Sequence, residues 1–459
     1  MSDLAIVLRS MRIRLFSTIV TVASVAVAVA LMLVLLTMRN SGRAAFERGS
    51  GDMHLVVSAE ASPLVAVLNN IFYADPPRRS IPWKRFETLQ GEAPWAYAVP
   101  IVTGDSFLDF PVVGTTREMF ESFRPAPGEA WSLAGGKVFE KNFEVVVGAD
   151  AAAKTGLRVG DRIALAHGWT RGIAAGAKLP REDGHGDRGH GHDHGHDHGH
   201  DDHDHGHEGS AAHVHADFPF TVVGILARSA TPHDRALFTT LESTWIMHAH
   251  DRRVRESASV TATTANDLTD ADRSITGAYL RMMSRDDSGT PAGLAQVFDR
   301  LRRDPSITVA NPSQEITGLF RIVDATNRLF VAIAAVVMVS SAVGIMLALY
   351  NSMDQRRRQL AVLRVLGASK GRVFSLVLAE CALIGVLGAA AGLALAHIGA
   401  WAASGILRDR LGLVIEPRPD IPVFVIVIGA TVALACVAGL APAVLAYRTS
   451  VARNLRPAA

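Results

Sequence analysis

The stretch NSMDQRRRQLAVLRVLGASKGR, residues Asn351–Arg372, decides the fold. It carries Arg356, Arg357, Arg358, Arg364, Lys370 and Arg372 against one acid, Asp354. An apolar run from Leu329 leads into it, and a second from Val373 to Leu407 leads out, interrupted only by Glu380. Each run is long enough to cross a bilayer, since roughly 20 apolar residues span a ~30 Å hydrocarbon core. A short basic connection between two spans belongs on the cytoplasmic side, where Lys and Arg accumulate. The wedge also has helical periodicity. Leu360, Leu363 and Leu366, with Val362 and Val365, recur at three- and four-residue steps and leave an arginine-rich opposite face. Gly367 supplies the stop. Two roles fit such a helix. It can pass force between a soluble partner and the membrane, or rest as a basic helix on anionic lipid.

Outward from the wedge, the same charge logic assigns the rest of the chain. Residues 1–14 hold Arg9, Arg12 and Arg14 against Asp3, as a cytoplasmic amphipathic start, and Leu15–Met38 follows without a charge. A secretory signal peptide is the competing reading, but the run is too long for one and no small-residue cleavage site follows. The expected spans are 15–38, 329–350, 373–399 and 422–447. The coupling segment is then 351–372 and the outside loop 400–421. The tail, 448–459, carries Arg448, Arg453 and Arg456 with no acid, so both termini lie inside.

Between the first two spans, residues 39–328 are soluble in character. Short Val- and Ile-rich runs at His54–Ser58, Ala98–Thr103, Pro111–Gly114, Phe143–Gly148, Arg162–Ala166 and Phe220–Leu226 read as strands. Ala149–Thr155 and Ala292–Arg303 read as helices. The fold class is therefore an α-helical membrane protein with four transmembrane helices and a large α+β extracytoplasmic domain between the first and second. That domain is expected as two subdomains with an insertion. A net charge of only +2 over 459 residues argues against nucleic acid as a partner. The two cysteines, Cys381 and Cys436, fall in expected spans, so no disulfide framework holds the outside domain.

The insertion, residues 181–215, holds 12 of the chain's 18 histidines, spaced mostly by Gly and Asp. They are His185, His190, His192, His194, His196, His198, His200, His203, His205, His207, His213 and His215. With almost no apolar residue the tract has no core to build and is expected to be a disordered loop. Neutral imidazole ligates zinc, copper and nickel. Repeated H-x-H spacing, with Asp193, Asp197, Asp201, Asp202 and Asp204 between, points to loose multi-site binding rather than one fixed site. The competing reading is a solvated low-complexity insertion with incidental affinity. His248 and His250, with His233, are secondary candidates for the same metal system. Glu380, about two turns into the third span, reads as functional or as reaching back to Arg372 or the interface. His397 reads as an interfacial residue, and Gly385, Gly388, Gly392 and Gly439 as helix-packing positions.

Three stretches resemble one family. LRSMRIRLFSTIVTVASVAVAVAL (8–31), RRRQLAVLRVLGASKGRV (356–373) and GLAPAVLAYRTSVARNLRP (439–457) are similar to the entry, coupling and closing segments of MacB/FtsX-like ABC transporter permeases, the group that includes lipoprotein-releasing permeases. EVVVGADAAAKTGLRVGDRI (144–163) and FTVVGIL (220–226) resemble that family's periplasmic core domain. Gln359 departs from the family's usual Glu, which weakens an acidic contact to the ATPase, and Ser450 stands in place of a proline before Val451.

The resemblance implies a homodimeric permease in a bacterial inner membrane, with a separate cytoplasmic ABC ATPase as partner. It places the ATPase contact on Arg357, Arg358, Gln359, Leu360, Leu363, Arg364, Leu366 and Gly367. No G-x-x-x-x-G-K-[ST] phosphate loop occurs in the sequence, and GASKG at 367–371 has the wrong spacing, so this chain is not expected to hydrolyse ATP. No tightly bound cofactor is implied, and Zn²⁺, Ni²⁺ or Cu²⁺ would be held loosely by the histidine loop. A periplasmic metal-binding or accessory protein is a further expected partner. The expected function is ATP-coupled work on the periplasmic side linked to zinc homeostasis. The alternatives are lipoprotein or hydrophobic-peptide extrusion, and a non-transporting scaffold that regulates a cell-wall hydrolase.

Overall fold

The structure is a computed structural model that describes residues 3–168, 176–179, 214–215, 217–256, 262–284, 291–365, 367–411 and 420–448. The chain opens with α1 (Asp3–Ile13) and α2 (Leu15–Gly49). Next come β1 (Leu55–Ser58), α3 (Pro63–Ile71), β2 (Ile81–Pro82), α4 (Trp83–Gln90), β3 (Trp95–Phe107) and β4 (Phe110–Thr115). They are followed by α5 (Glu118–Glu121), β5 (Leu133–Gly136), β6 (Glu144–Val147), α6 (Ala149–Thr155), β7 (Arg162–Ala164), β8 (Ala166–His167) and β9 (Ala177–Leu179). The second half of the domain adds β10 (Phe220–Leu226), β11 (Leu237–Thr240), α7 (Leu241–Glu256), β12 (Ser274–Ile275), β13 (Gly277–Met282), α8 (Leu294–Leu301) and β14 (Thr308–Ala310). The chain then passes to α9 (Pro312–Val365), α10 (Lys370–Leu411) and α11 (Ile421–Arg448). It divides into one unit of residues 1–44, 320–410 and 415–459 and a second of residues 45–319 with 411–414.

The first unit is helical. Among the described residues, Leu15–Gly49, Pro312–Asn351, Lys370–Leu407 and Ile421–Arg448 are long and apolar enough to cross a membrane. These helices overrun the expected spans because apolarity sets the length of a span, whereas a helix continues until something stops it. The wedge is accordingly not a helix of its own. α9 runs for 54 residues, with Pro312 as its first residue and no later proline, so the second span and the wedge through Val365 are one rod. Asn311 caps its start by accepting a hydrogen bond from the Gln314 backbone N–H at 3.2 Å. Its end obeys the expected stop, since Gly367 sits at φ +99°, a left-handed conformation that favours glycine.

Small residues set the helix spacing in this unit. A Cβ at Gly388 would lie 2.5 Å from Val25 Cγ1, and one at Gly392 2.7 Å from Val29 Cβ and 2.8 Å from the Ala26 carbonyl oxygen. A Cβ at Gly439 would lie 2.3 Å from Cys381 Sγ, and one at Gly385 2.9 Å from Ala435 Cβ. The four glycines therefore pack helix on helix, which is how close approach is achieved where water supplies no driving force.

The second unit is built on one mixed sheet of 12 strands among the described residues, with the path β14-β1-β13-β3-β4-β11-β6-β10-β7-β9. β5 pairs with β10, and β8 with β3. The β6–β10 and β4–β11 pairs are parallel. The sheet carries two apolar cores within one compact unit. The first gathers Leu55, Phe86, Trp245, Leu280 and Leu301, and the second Phe107, Val145, Ile163, Phe220 and Met247. The 13-residue β3 contributes to both, with Ala98 and Val102 in the first and Phe107 in the second.

His233 is buried apart from these cores among the rings of Tyr73, Phe123, Trp131, Phe238 and Tyr279. Its Nδ1 shares a 2.8 Å hydrogen bond with the Tyr73 hydroxyl. Burial pushes its pKa down to about 3, so the ring is neutral. It packs the domain and is not part of the donor groups described below, contrary to its secondary candidacy as a metal ligand.

Candidate metal centre and coupling helix

α7 is held by both cores of the domain: Leu241 and Trp245 pack into the first, Ile246 and Met247 into the second. Anchored this way, the helix presents His248 and Asp251, three residues apart, on a shared face. β3 supplies a carboxylate opposite. Its register against β4 slips between Thr103 and Asp105, and the intervening Gly104 has φ +149°. A bulge of this kind re-aims the side chain that follows it. Asp105 is left 2% exposed with its carboxylate between two imidazoles.

The first imidazole is His167, directly across the β3–β8 pairing, with Nδ1 3.1 Å from Asp105 Oδ1. The second is His248, whose Nε2 lies 3.1 and 3.0 Å from the two carboxylate oxygens. A third histidine arrives where the chain returns from the insertion. Val214 bridges to Ala166, and the His215 N–H donates to the Leu165 carbonyl at 2.8 Å. That pairing brings His215 Nδ1 to 3.3 Å from Asp251 Oδ1. The His167 ring stands nearly perpendicular to both neighbours, its centroid 5.2 Å from that of His248 and 6.1 Å from that of His215.

His167 thus belongs to two donor groups, Asp105–His167–His248 and His167–His215–Asp251. In each group three ligand atoms lie within 4.8 Å of one another. Burial alone would raise the Asp105 carboxyl, but the charge and hydrogen bonds of the two imidazoles outweigh it and hold the group well below the usual carboxylate range. Burial likewise pulls His248 down, and Asp105 outweighs that pull, leaving the imidazole raised. A cleft of about 280 Å³ adjoins the cluster, lined by His167, His215, Asp217, His250, Asp251 and Arg255 among others. Two imidazole nitrogens and a carboxylate oxygen are donors that zinc accepts, with a fourth position left for water or another ligand.

The structure brings together only part of what the sequence singled out. His215 of the tract and His248 of α7 join the cluster, while His185 through His213 lie outside the described residues. His250 lines the cleft, but its Nδ1 is engaged with the Thr263 hydroxyl at 3.0 Å and it belongs to neither donor group. Asp105, His167 and Asp251 escaped sequence reasoning. The one local signal was the His248/Asp251 spacing on a helix; nothing in the sequence pairs Asp105 with His167.

Of the residues expected to meet the ATPase, Arg357, Arg358, Gln359, Leu360, Leu363 and Arg364 occupy the last turns of α9, Leu366 lies outside the described residues, and Gly367 follows. Glu380 is 5% exposed and accepts a hydrogen bond from the Ser10 hydroxyl of α1 at 3.2 Å. This contact with the amphipathic start of the chain was not among the partners expected for it. His397 is exposed on α10.

Comparison with known proteins places the chain in a family. Residues 331–451 match the FtsX-like permease C-terminal model. Residues 18–278, more than half of the chain, match the MacB-like periplasmic core domain. No curated protein matches the chain. Among solved structures, the extracellular domain of the noncanonic ABC-type transporter YknZ from Gram-positive bacteria is similar over 56% of this chain and 98% of its own length, at 9% identity and a TM-score of 0.25. The assignment rests on the two sequence models, which between them cover most of the outside domain and reach all four apolar helices, leaving out residues 279–330. The chain belongs to the MacB/FtsX-like family of ABC transporter permeases, multi-pass membrane subunits with a large extracytoplasmic domain that generally work with a cytoplasmic ATPase.

Proposed function

We propose that this chain is the permease subunit of a bacterial inner-membrane transporter that couples ATP hydrolysis by a separate ATPase to divalent-metal homeostasis, with zinc the first candidate. Two copies form the working unit, their termini and the Arg357–Gly367 wedge facing the cytoplasm and the domain of residues 45–319 outside. Closure of the ATPase pair presses on the wedge, and because wedge and second span are one helix, the motion enters the membrane without a joint. The observation that carries the metal reading is the tract itself: 12 histidines within residues 181–215, the last of which stands beside Asp251. Repeated H-x-H spacing offers many low-order sites of the kind a protein uses to capture or buffer a cation.

Deleting residues 184–209 tests this reading, since the window holds ten of the histidines and almost nothing apolar. The deleted permease is expected to accumulate and to recover its ATPase as the parent does, while growth under zinc limitation or excess changes. Growth indistinguishable from the parent across zinc, nickel and copper would end the metal role and leave the permease assignment standing.

A further inference from the structure

We propose that the outside domain carries a divalent-cation site of its own at the root of the histidine tract. Asp105, His167 and His248 are its ligands, and His215 with Asp251 form a second donor pair across the His167 ring. This deepens the metal reading above and rests on it for the choice of zinc as the cation.

Three features support a built site rather than a chance cluster. The first is spacing. Ligands of a tetrahedral ion bound at ~2.0–2.1 Å stand about 3.3 Å apart, and the Asp105 oxygens lie 3.0–3.1 Å from the nearest nitrogens of His167 and His248. An ion between them needs only small side-chain shifts. The second is convergence. The donors come from β3, β8, α7 and the returning end of the insertion, brought together by a sheet bulge at Gly104, a cross-strand pair and a helix fixed by two cores. An ion pair alone would need one histidine on Asp105; this carboxylate has two, and a second His–Asp pair stands beside them.

The third feature is placement. His167 precedes the insertion, His215 ends it, and the 280 Å³ cleft beside both gives a cation an approach. A cation taken up by the tract would therefore meet fixed donors where the tract rejoins the fold. Occupancy would also tie the returning chain to β8 and α7, which gives the outside domain a metal-dependent rigidity.

The test uses the full chain purified in detergent with residues 184–209 deleted, so that the tract's histidines do not mask the ordered site. Zinc alone is the probe, titrated by calorimetry, with thermal melting read in parallel. One zinc ion per chain and a zinc-dependent rise in melting temperature are expected. His248→Gln should weaken that binding by about 10–100-fold or more, since loss of even an outer partner of a metal ligand costs that much, and should abolish the melting shift. His167→Gln is the companion variant: its side chain is 55% exposed, so its removal threatens folding least, and it should weaken binding comparably. Melting without zinc verifies that each variant is folded. A deleted protein that binds no zinc, or variants that bind it as tightly as their parent, would overturn the ordered site. Multi-site binding by the undeleted chain, measured alongside, would in that event leave the tract reading intact.

Discussion

Replacing Leu363 and Leu366 together with Asp is expected to abolish recovery of the partner ATPase while leaving membrane insertion unchanged. Insertion depends on four long apolar helices, and neither substitution touches a span. Leu363 falls in the last turns of α9, and Leu366 directly precedes the Gly367 turn. With the wedge on the cytoplasmic side, as proposed, the leucines that recur at three-residue steps in the sequence are the surface an ATPase groove would hold. Buried apolar anchors at such interfaces are worth ~2 kcal/mol or more each, about a 30-fold loss of affinity per site, and a carboxylate forced into the same groove adds desolvation cost. The measurement is affinity recovery of the ATPase from detergent extracts at equal permease levels. The competing role, a helix that merely rests on anionic lipid, predicts undiminished recovery, so full recovery from the double variant would remove the wedge from the coupling pathway.

The second large effect is steric. Gly392→Leu should sharply reduce folded permease, because a Cβ there already meets Val29 Cβ at 2.7 Å and the Ala26 carbonyl oxygen at 2.8 Å. Overpacking usually costs about 1–3 kcal/mol, and here one obstacle is backbone, which yields only if α2 and α10 separate. Gly405→Leu is the matched control on the same helix, since nothing lies within 4 Å of a Cβ at that position. Accumulation and detergent melting of the two variants should diverge. Equal behaviour would mean that α2 and α10 do not pack as described.

The span count and the sequence order of the architecture were legible because they rest on charge and apolarity, which survive without tertiary context. The domain was legible where local signals were strong: Phe220–Leu226 matches β10 residue for residue, and Ala149–Thr155 matches α6. β11, β13 and α7 went unread. Leu237–Thr240 is only four residues long and runs directly into α7, and α7 is polar along much of its length, so periodicity says little. Helix ends were misjudged for a different reason: α2 continues to Gly49 because no stop precedes Gly51, at φ +61°, even though the apolar run ends at Met38.

The candidate metal centre shows the limit most clearly. The tract advertised imidazoles by number, yet the fixed donors depend on pairings 62 residues apart, Asp105 to His167, and 143 apart, Asp105 to His248. A bulge at Gly104 aims one of them, and no spacing rule in a single sequence reports a bulge. His233 makes the converse point. It looked like one more histidine near the others, and burial among aromatic rings makes it a neutral packing residue instead.

All of this depends on the wedge and the histidine tract lying on opposite faces of one membrane. Reporter fusions placed after Arg43, within residues 184–209, after Arg358 and after Arg453 measure that directly. The account predicts exported signals from the first two and cytoplasmic signals from the last two, as the basic bias of residues 351–372 and 448–459 requires. An exported signal after Arg358 would contradict it, because no cytoplasmic ATPase could then reach the helix that is meant to receive its motion.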